Sequence, residues 1–133
     1  SLPLSLSLSL PPVAGVMIGR AAYHNIWMFA RADSLFYGQK DRLLSRRAVA
    51  EAYLDFAQQA HDEGSYSSLL PNLAKPLHHF FSGTPQNRCY KRRLDALVKE
   101  SVSRRPDMTI SEVFWEATQD IPDSLLDQTV FEC

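Results

Sequence analysis

Gly19 and Arg20 lie in the run Gly15-Val16-Met17-Ile18-Gly19-Arg20-Ala21-Ala22-Tyr23-His24-Asn25, whose residue types suit the binding of an anionic oxygen. The β-branched and apolar stretch before the pair reads as a buried strand, and the residues after it as the start of a helix. Gly19 has no Cβ to block close approach to the backbone, and the first-turn N–H groups of the helix point outward. Arg20 adds a fixed fork of donors. Together they describe a phosphate seat.

A second group of cations lies further along. The overall charge is −1, but Arg88, Lys91, Arg92, Arg93, Lys99, Arg104 and Arg105 stand against only Asp95 and Glu100, whereas 106–133 holds seven acids and no Lys or Arg. A basic segment of this kind can bind a polyanion, and an acidic one can cover it. On helical spacing Arg88, Lys91, Arg92, Asp95 and Lys99 share the outer face of one helix, and Lys75, His78 and His79 can extend that stripe from the preceding element. A cationic outer face is often only solvated surface. The binding reading gains from the scarcity of i+4 acids, and on charge alone RNA is as suitable a ligand as DNA.

Other chemistries find little support. His24, His61, His78 and His79 form no metal-ligand spacing with each other or with Cys89 and Cys133, so no metal site is expected and the histidines read as surface or helix-packing side chains. The two cysteines read as free thiols of a reducing compartment, so the chain is expected inside a cell, with cytoplasm or an organelle such as the chloroplast left open. No apolar run approaches the roughly 20 residues needed to span a membrane.

These groups need a scaffold, and 133 residues with 45% apolar and 22% charged content allow one modest core. Val13 to Ile18 is the expected strand, and Ala21 to Ala32 is expected to run as helix, with the segment ending near Gly38. Ser45 is a plausible N-cap for a helix whose Val49, Ala52, Tyr53, Phe56, Ala57 and Ala60 make one buried face, closed by Gly64. A further helix is expected over Leu69 to Ser82, with Leu73, Leu77, Phe80 and Phe81 on one side and Ser82-Gly83-Thr84-Pro85 as its stop. The basic helix starts near Gln86 and turns Tyr90, Leu94, Leu97, Val98 and Ser101 inward. Thr109-Ile110-Ser111-Glu112 is a capping box opening a last helix with Ile110, Val113, Phe114 and Ala117 inside, and a loosely packed tail is expected after Pro122.

The first twelve residues, Ser-Leu-Pro-Leu-Ser-Leu-Ser-Leu-Ser-Leu-Pro-Pro, differ in kind from the rest. Their alternation has a strand's period, but Pro3 and the Pro11-Pro12 pair bracket it, and neither the cationic start nor the small-residue cleavage site of a secretory signal is present. A CT dinucleotide repeat translates in frame as Leu-Ser-Leu-Ser, so 1–12 is expected to be a non-family leader arising from read-through or a mis-set start.

The Gly15–Asn25 run, with Lys75-Pro76-Leu77-His78-His79-Phe80-Phe81-Ser82-Gly83-Thr84-Pro85 and Arg88-Cys89-Tyr90-Lys91-Arg92-Arg93 after it, resembles the C-terminal part of the tRNA-dihydrouridine synthases. The likeness runs in order over about residues 13–127 and is greatest to the branch acting on D-loop positions 20 and 20a. Ile121-Pro122-Asp123-Ser124-Leu125-Leu126-Asp127 resembles plant members of that branch.

The resemblance implies a flavin enzyme in which NADPH reduces FMN, the flavin delivers hydride to C6 of a uracil, and a cysteine on a barrel loop protonates C5. FMN sits at the C-terminal ends of the strands of a TIM barrel, and a helical domain after the barrel grips tRNA. By resemblance Gly19 and Arg20 bind the FMN phosphate, Arg88 and Lys91 contact tRNA, and Arg92 and Lys75 join them on position.

The family's Asn-Pro-x-Cys-Pro loop has no counterpart in this sequence, so no catalytic residue is assigned, and neither Cys89 nor Cys133 takes that role. Ile26 stands where the family has proline, and Gln86 where its turn has glycine.

The expected fold is therefore mostly α: a helical tRNA-binding domain over 39–127, preceded at 13–38 by the last strand and helix of an incomplete TIM (β/α)8 barrel, with 128–133 as a tail. Such a chain is expected to be the C-terminal part of the enzyme, monomeric, inactive alone and unable to hold FMN. A stand-alone helical tRNA-binding module without chemistry is the alternative, and a helical module meeting an acidic protein is a third reading.

Overall fold

The computed structural model describes residues 12–40, 42, 44–64 and 69–129. The low-complexity leader lies outside them except for Pro12, as does Cys133. Helix α1 (Arg20–His24) is followed by a 3-10 turn (Ile26–Phe29) and α2 (Ala32–Tyr37), which stops at Gly38 in the left-handed region. The single helix expected over 21–32 is broken at Asn25, whose backbone leaves the helical region at φ −149, ψ 84. The break lets Ile26 and Trp27 turn onto the core.

The expected strand Val13–Ile18 is not formed: among the described residues there is no strand, and the only ladder-type contact is an isolated antiparallel bridge between Ser45 and Thr129. A strand's backbone groups are satisfied by a neighbouring strand, and none lies beside this segment. Val16 and Met17 are accordingly 81% and 89% exposed.

Helix α3 (Arg46–Asp62) begins as its sequence indicates, with the Ser45 hydroxyl accepting from the Ala48 N–H at 3.1 Å. Its buried face is rotated from the expected one. Ala50, Leu54 and Ala57 point inward, Val49, Tyr53 and Ala60 are half-buried, and Ala52 and Phe56 face out, Phe56 at 62% exposure. Two later helices pack onto α3, and the small side chains of Ala50 and Ala57 face the core where bulk would hold them off.

The helix expected over Leu69–Ser82 contracts to α4 (Leu70–Ala74) and a 3-10 turn (Lys75–Leu77), followed by turns to Gly83. Pro76 explains this, having no N–H to donate and a ring that opposes the carbonyl four residues back. Leu73, Leu77, Phe80 and Phe81 are nevertheless all buried.

Helix α5 (Asn87–Ser103) buries Tyr90, Leu94, Leu97 and Ser101 as its periodicity requires. In α6 (Ile110–Ala117) the Thr109 hydroxyl caps the Glu112 N–H at 3.1 Å. The tail expected after Pro122 is instead packed: α7 (Asp123–Asp127) lies against α3, with Leu126 only 3% exposed. Helix α6 is central, touching α3, α4 and α5. Its Phe114 is fully buried, with ring centroids of Trp115, Phe80 and Tyr90 at 4.9, 5.5 and 6.1 Å. Truncating such a ring costs about 3–5 kcal/mol.

Candidate functional site

The inward residues of α5 fix which of its cations face solvent. Arg88 and Arg92 are exposed, whereas Lys91, one residue after Tyr90 and three before Leu94, is half-buried beside the inward face rather than on the outer face expected for it. Among the described residues none of the three pairs with a carboxylate. The acidic segment does take up cations, but others: Asp120 meets Arg93 at 2.6 Å, Glu116 meets Arg105 at 3.6 Å, and Asp123 and Asp127 hold Arg47 at 2.9 and 2.6 Å. Hydrogen bonds to Asp127 and then Asp123 raise the Arg47 guanidinium above its ordinary pKa. The expected acidic cover therefore falls beside the stripe and leaves Arg88 and Arg92 open and the half-buried Lys91 without an acidic partner among the described residues. Lys75 is exposed as well.

The segment carrying Arg20 docks onto the turns before α5. The Tyr23 hydroxyl donates to the Lys75 carbonyl at 3.0 Å, the Ser82 hydroxyl to the His24 carbonyl at 2.6 Å, and the Trp27 indole to the Phe80 carbonyl at 2.7 Å. This docking gathers rings that are remote in sequence: His79 lies 4.8 Å from His24, 5.0 Å from His78 and 5.3 Å from Tyr23, centroid to centroid. Burial first, and then the positive fields of Lys91, His78 and His24, hold the His79 imidazole below its ordinary pKa. Asp95 approaches His78 at 3.4 Å. In the sequence His78 and His79 read only as an extension of the basic stripe with Lys75, and no local pattern brings in Tyr23 and His24.

Gly19 is the N-cap residue of α1 at φ −100, ψ −103, outside the left-handed region. A Cβ there would meet only the Met17 sulfur at 3.7 Å, an ordinary contact. Arg20 is exposed, and Val16 and Met17 beside it provide no wall. A flavin needs enclosure for its ring system as well as a phosphate contact, and these residues do not by themselves fit the group. The apolar cavity of about 270 Å³ nearby is lined by Ile26, Trp27, Phe29 and Val49 among others and does not include the Gly19–Arg20 pair.

The turn before α5 has its left-handed residue at Gly83, φ +84. Gln86, where the family has glycine, sits at φ −82, ψ −7 and carries no backbone strain. Cys89 is an exposed free thiol. Among the described residues no three His, Cys, Asp or Glu side chains are grouped to hold a metal ion, and no helix is long and apolar enough to cross a membrane.

The structure defines a class: a small helical body with one open cationic face, locked by buried aromatics to a Gly-Arg segment. The chain belongs to the dihydrouridine synthase family, whose model, described as Dihydrouridine synthase (Dus), matches residues 7–117. Similar curated proteins include three named tRNA-dihydrouridine(20/20a) synthase. That of Shewanella oneidensis is 34% identical over 80 residues, covering 60% of this chain and 23% of the relative. That of Synechocystis is 31% identical over 85 residues, covering 64% and 25%. That of Vibrio vulnificus is 28% identical over 111 residues, covering 84% and 31%. The likeness thus runs to the 20/20a branch, and the chain spans 23% to 31% of these relatives' length. No solved structure matches the chain.

Proposed function

We propose that this chain is the C-terminal portion of a tRNA-dihydrouridine synthase of the 20/20a branch, plant-like in its closing residues, and that its part in the enzyme is to hold tRNA. The observation that carries this is the cationic face of α5: acids elsewhere in the chain engage Arg47, Arg93 and Arg105, yet Arg88 and Arg92 are left to solvent and the half-buried Lys91 beside them pairs with no carboxylate among the described residues. Phosphates select for such a field, and each phosphate neutralised makes binding more sensitive to salt. In this reading Arg88, Lys91, Arg92 and Lys75 contact tRNA within a domain covering 39–127.

Residues 13–38 then belong with a flavin-binding barrel, a placement supported by the exposed apolar side chains of Val16, Met17, Leu35 and Phe36. Gly19 and Arg20 supply the FMN-phosphate contact in that setting, with NADPH as the reductant of the flavin. The chain alone lacks the walls for flavin and does not bind it.

A mobility-shift titration of the full chain with a tRNA transcript, against an unstructured RNA of the same length, tests the tRNA role. Preferential, salt-sensitive binding of tRNA is expected, and equal affinity for the two RNAs overturns the reading. Titrating FMN with the chain should leave flavin fluorescence unquenched; sub-micromolar quenching overturns the statement that the chain alone does not hold it.

A further inference from the structure

We infer that His79, with His24 and His78 around it, forms a proton-linked phosphate site, so that an RNA phosphate seated on this cluster is bound together with a proton. The inference rests on the tRNA reading above and adds to it a second contact region and a regulation by pH.

The cluster brings three imidazoles, a phenol ring and a lysine together. From α1 it receives Tyr23 and His24, from the turns before α5 it has His78 and His79, and from α5 it faces Lys91. Among the described residues the carboxylate drawn to it is Asp95, and this engages His78 rather than His79. With Asp95 taken up by His78, burial and the neighbouring positive groups oppose the charged form of His79. A phosphate oxygen reverses the balance: it accepts hydrogen bonds from imidazolium, offsets the field of Lys91, and favours the charged form of His79. The low pKa of free His79 thus becomes the source of linkage, because a group neutral before binding and charged after it must take up a proton. The cluster also lies between the Arg20 segment and the α5 stripe, so one phosphate there would extend the cationic track from α5 onto α1.

The test is tRNA binding by the full chain at fixed ionic strength across pH, with proton uptake read from the buffer dependence of the calorimetric enthalpy. Affinity is expected to rise roughly threefold to tenfold for each unit the pH falls between about 7.5 and 6, since one proton taken up gives at most tenfold per unit. His79→Phe keeps a ring against Tyr23 and should flatten this dependence and abolish the uptake, whereas His61→Gln, on α3 and outside the cluster, should leave both intact.

The wild-type measurement does not depend on any variant folding. Preferential tRNA binding that is independent of pH and without proton uptake overturns this inference alone. A pH dependence undiminished in His79→Phe also overturns it. Absence of tRNA binding at every pH overturns both this inference and the tRNA reading.

Discussion

The Trp27 indole N–H donates to the backbone carbonyl of Phe80 at 2.7 Å, across 53 residues of chain, while the two rings meet edge to face at 5.2 Å. This pair fastens the Arg20-bearing segment to the turns that lead into α5. Trp27→Phe keeps most of the ring contact but leaves the carbonyl without its donor. A loss of about 1–2 kcal/mol in unfolding free energy is expected, read as a lower urea midpoint at an unchanged m value.

Gly83 holds φ +84, and a Cβ placed there would meet nothing within 4 Å. The cost of Gly83→Ala is therefore conformational, about 1 kcal/mol. Gly83→Asn should recover part of it, since asparagine visits the left-handed region more readily. Equal destabilisation by both substitutions would mean that something other than backbone conformation controls this turn.

The hydroxyls of Ser45 and Thr109 each cap an N–H three residues on, at 3.1 Å. Ser45→Ala and Thr109→Ala should each lower stability by about 1 kcal/mol. Thermal melts should show two-state loss without a change in the helical spectrum at low temperature.

Arg88 is open and Lys91 half-buried without a carboxylate partner among the described residues, while Arg93 is held by Asp120 at 2.6 Å. Replacing Arg88 and Lys91 together with alanine should weaken tRNA binding and lower the slope of log K against log salt by about 1 to 2. Arg93→Ala should change both much less, because its charge is already engaged. A larger effect from Arg93 would move the RNA-binding face off the proposed stripe.

Without RNA, His79 affects stability in the opposite sense from its effect on binding. Its folded-state pKa lies below the ordinary value of 6.5, so the unfolded chain binds more protons in that range. Its contribution is therefore unfavourable once pH falls below about 6.5 and vanishes above it. The melting temperature of the wild type should drop relative to His79→Phe as pH is lowered from about 7.5 to 5.5. A constant gap would show that His79 is not held neutral by its neighbours.

Elements with a local cause were legible in the sequence. Ser45 and Thr109 start helices because a short hydroxyl can cap from that position, and Tyr90, Leu94, Leu97 and Ser101 repeat with the period of a buried face. The orientation of α3 was not legible, because Phe56 and Leu54 are equally apolar and the choice between them belongs to the helices that pack alongside. The break at Asn25 follows from Trp27 reaching Phe80, a contact that no window of sequence contains. The helix expected through Ser82 was misjudged at Pro76, a residue whose missing N–H is itself a readable signal for the break. At the candidate site the charge types were plain but their pairing was not. Only the folded chain sends Asp120 to Arg93 and Asp123 and Asp127 to Arg47, leaving Arg88 and Arg92 open.

The bridge between Ser45 and Thr129 sets an order on biosynthesis. Helix α3 is made before the helices that cover its buried face, α6 and α7. At typical elongation rates roughly ten seconds separate the two ends of this bridge. During that interval Leu54 and its neighbours on the nascent chain have no permanent cover, so a ribosome that pauses before residue 123 would present the quality-control machinery with a sticky, half-finished product.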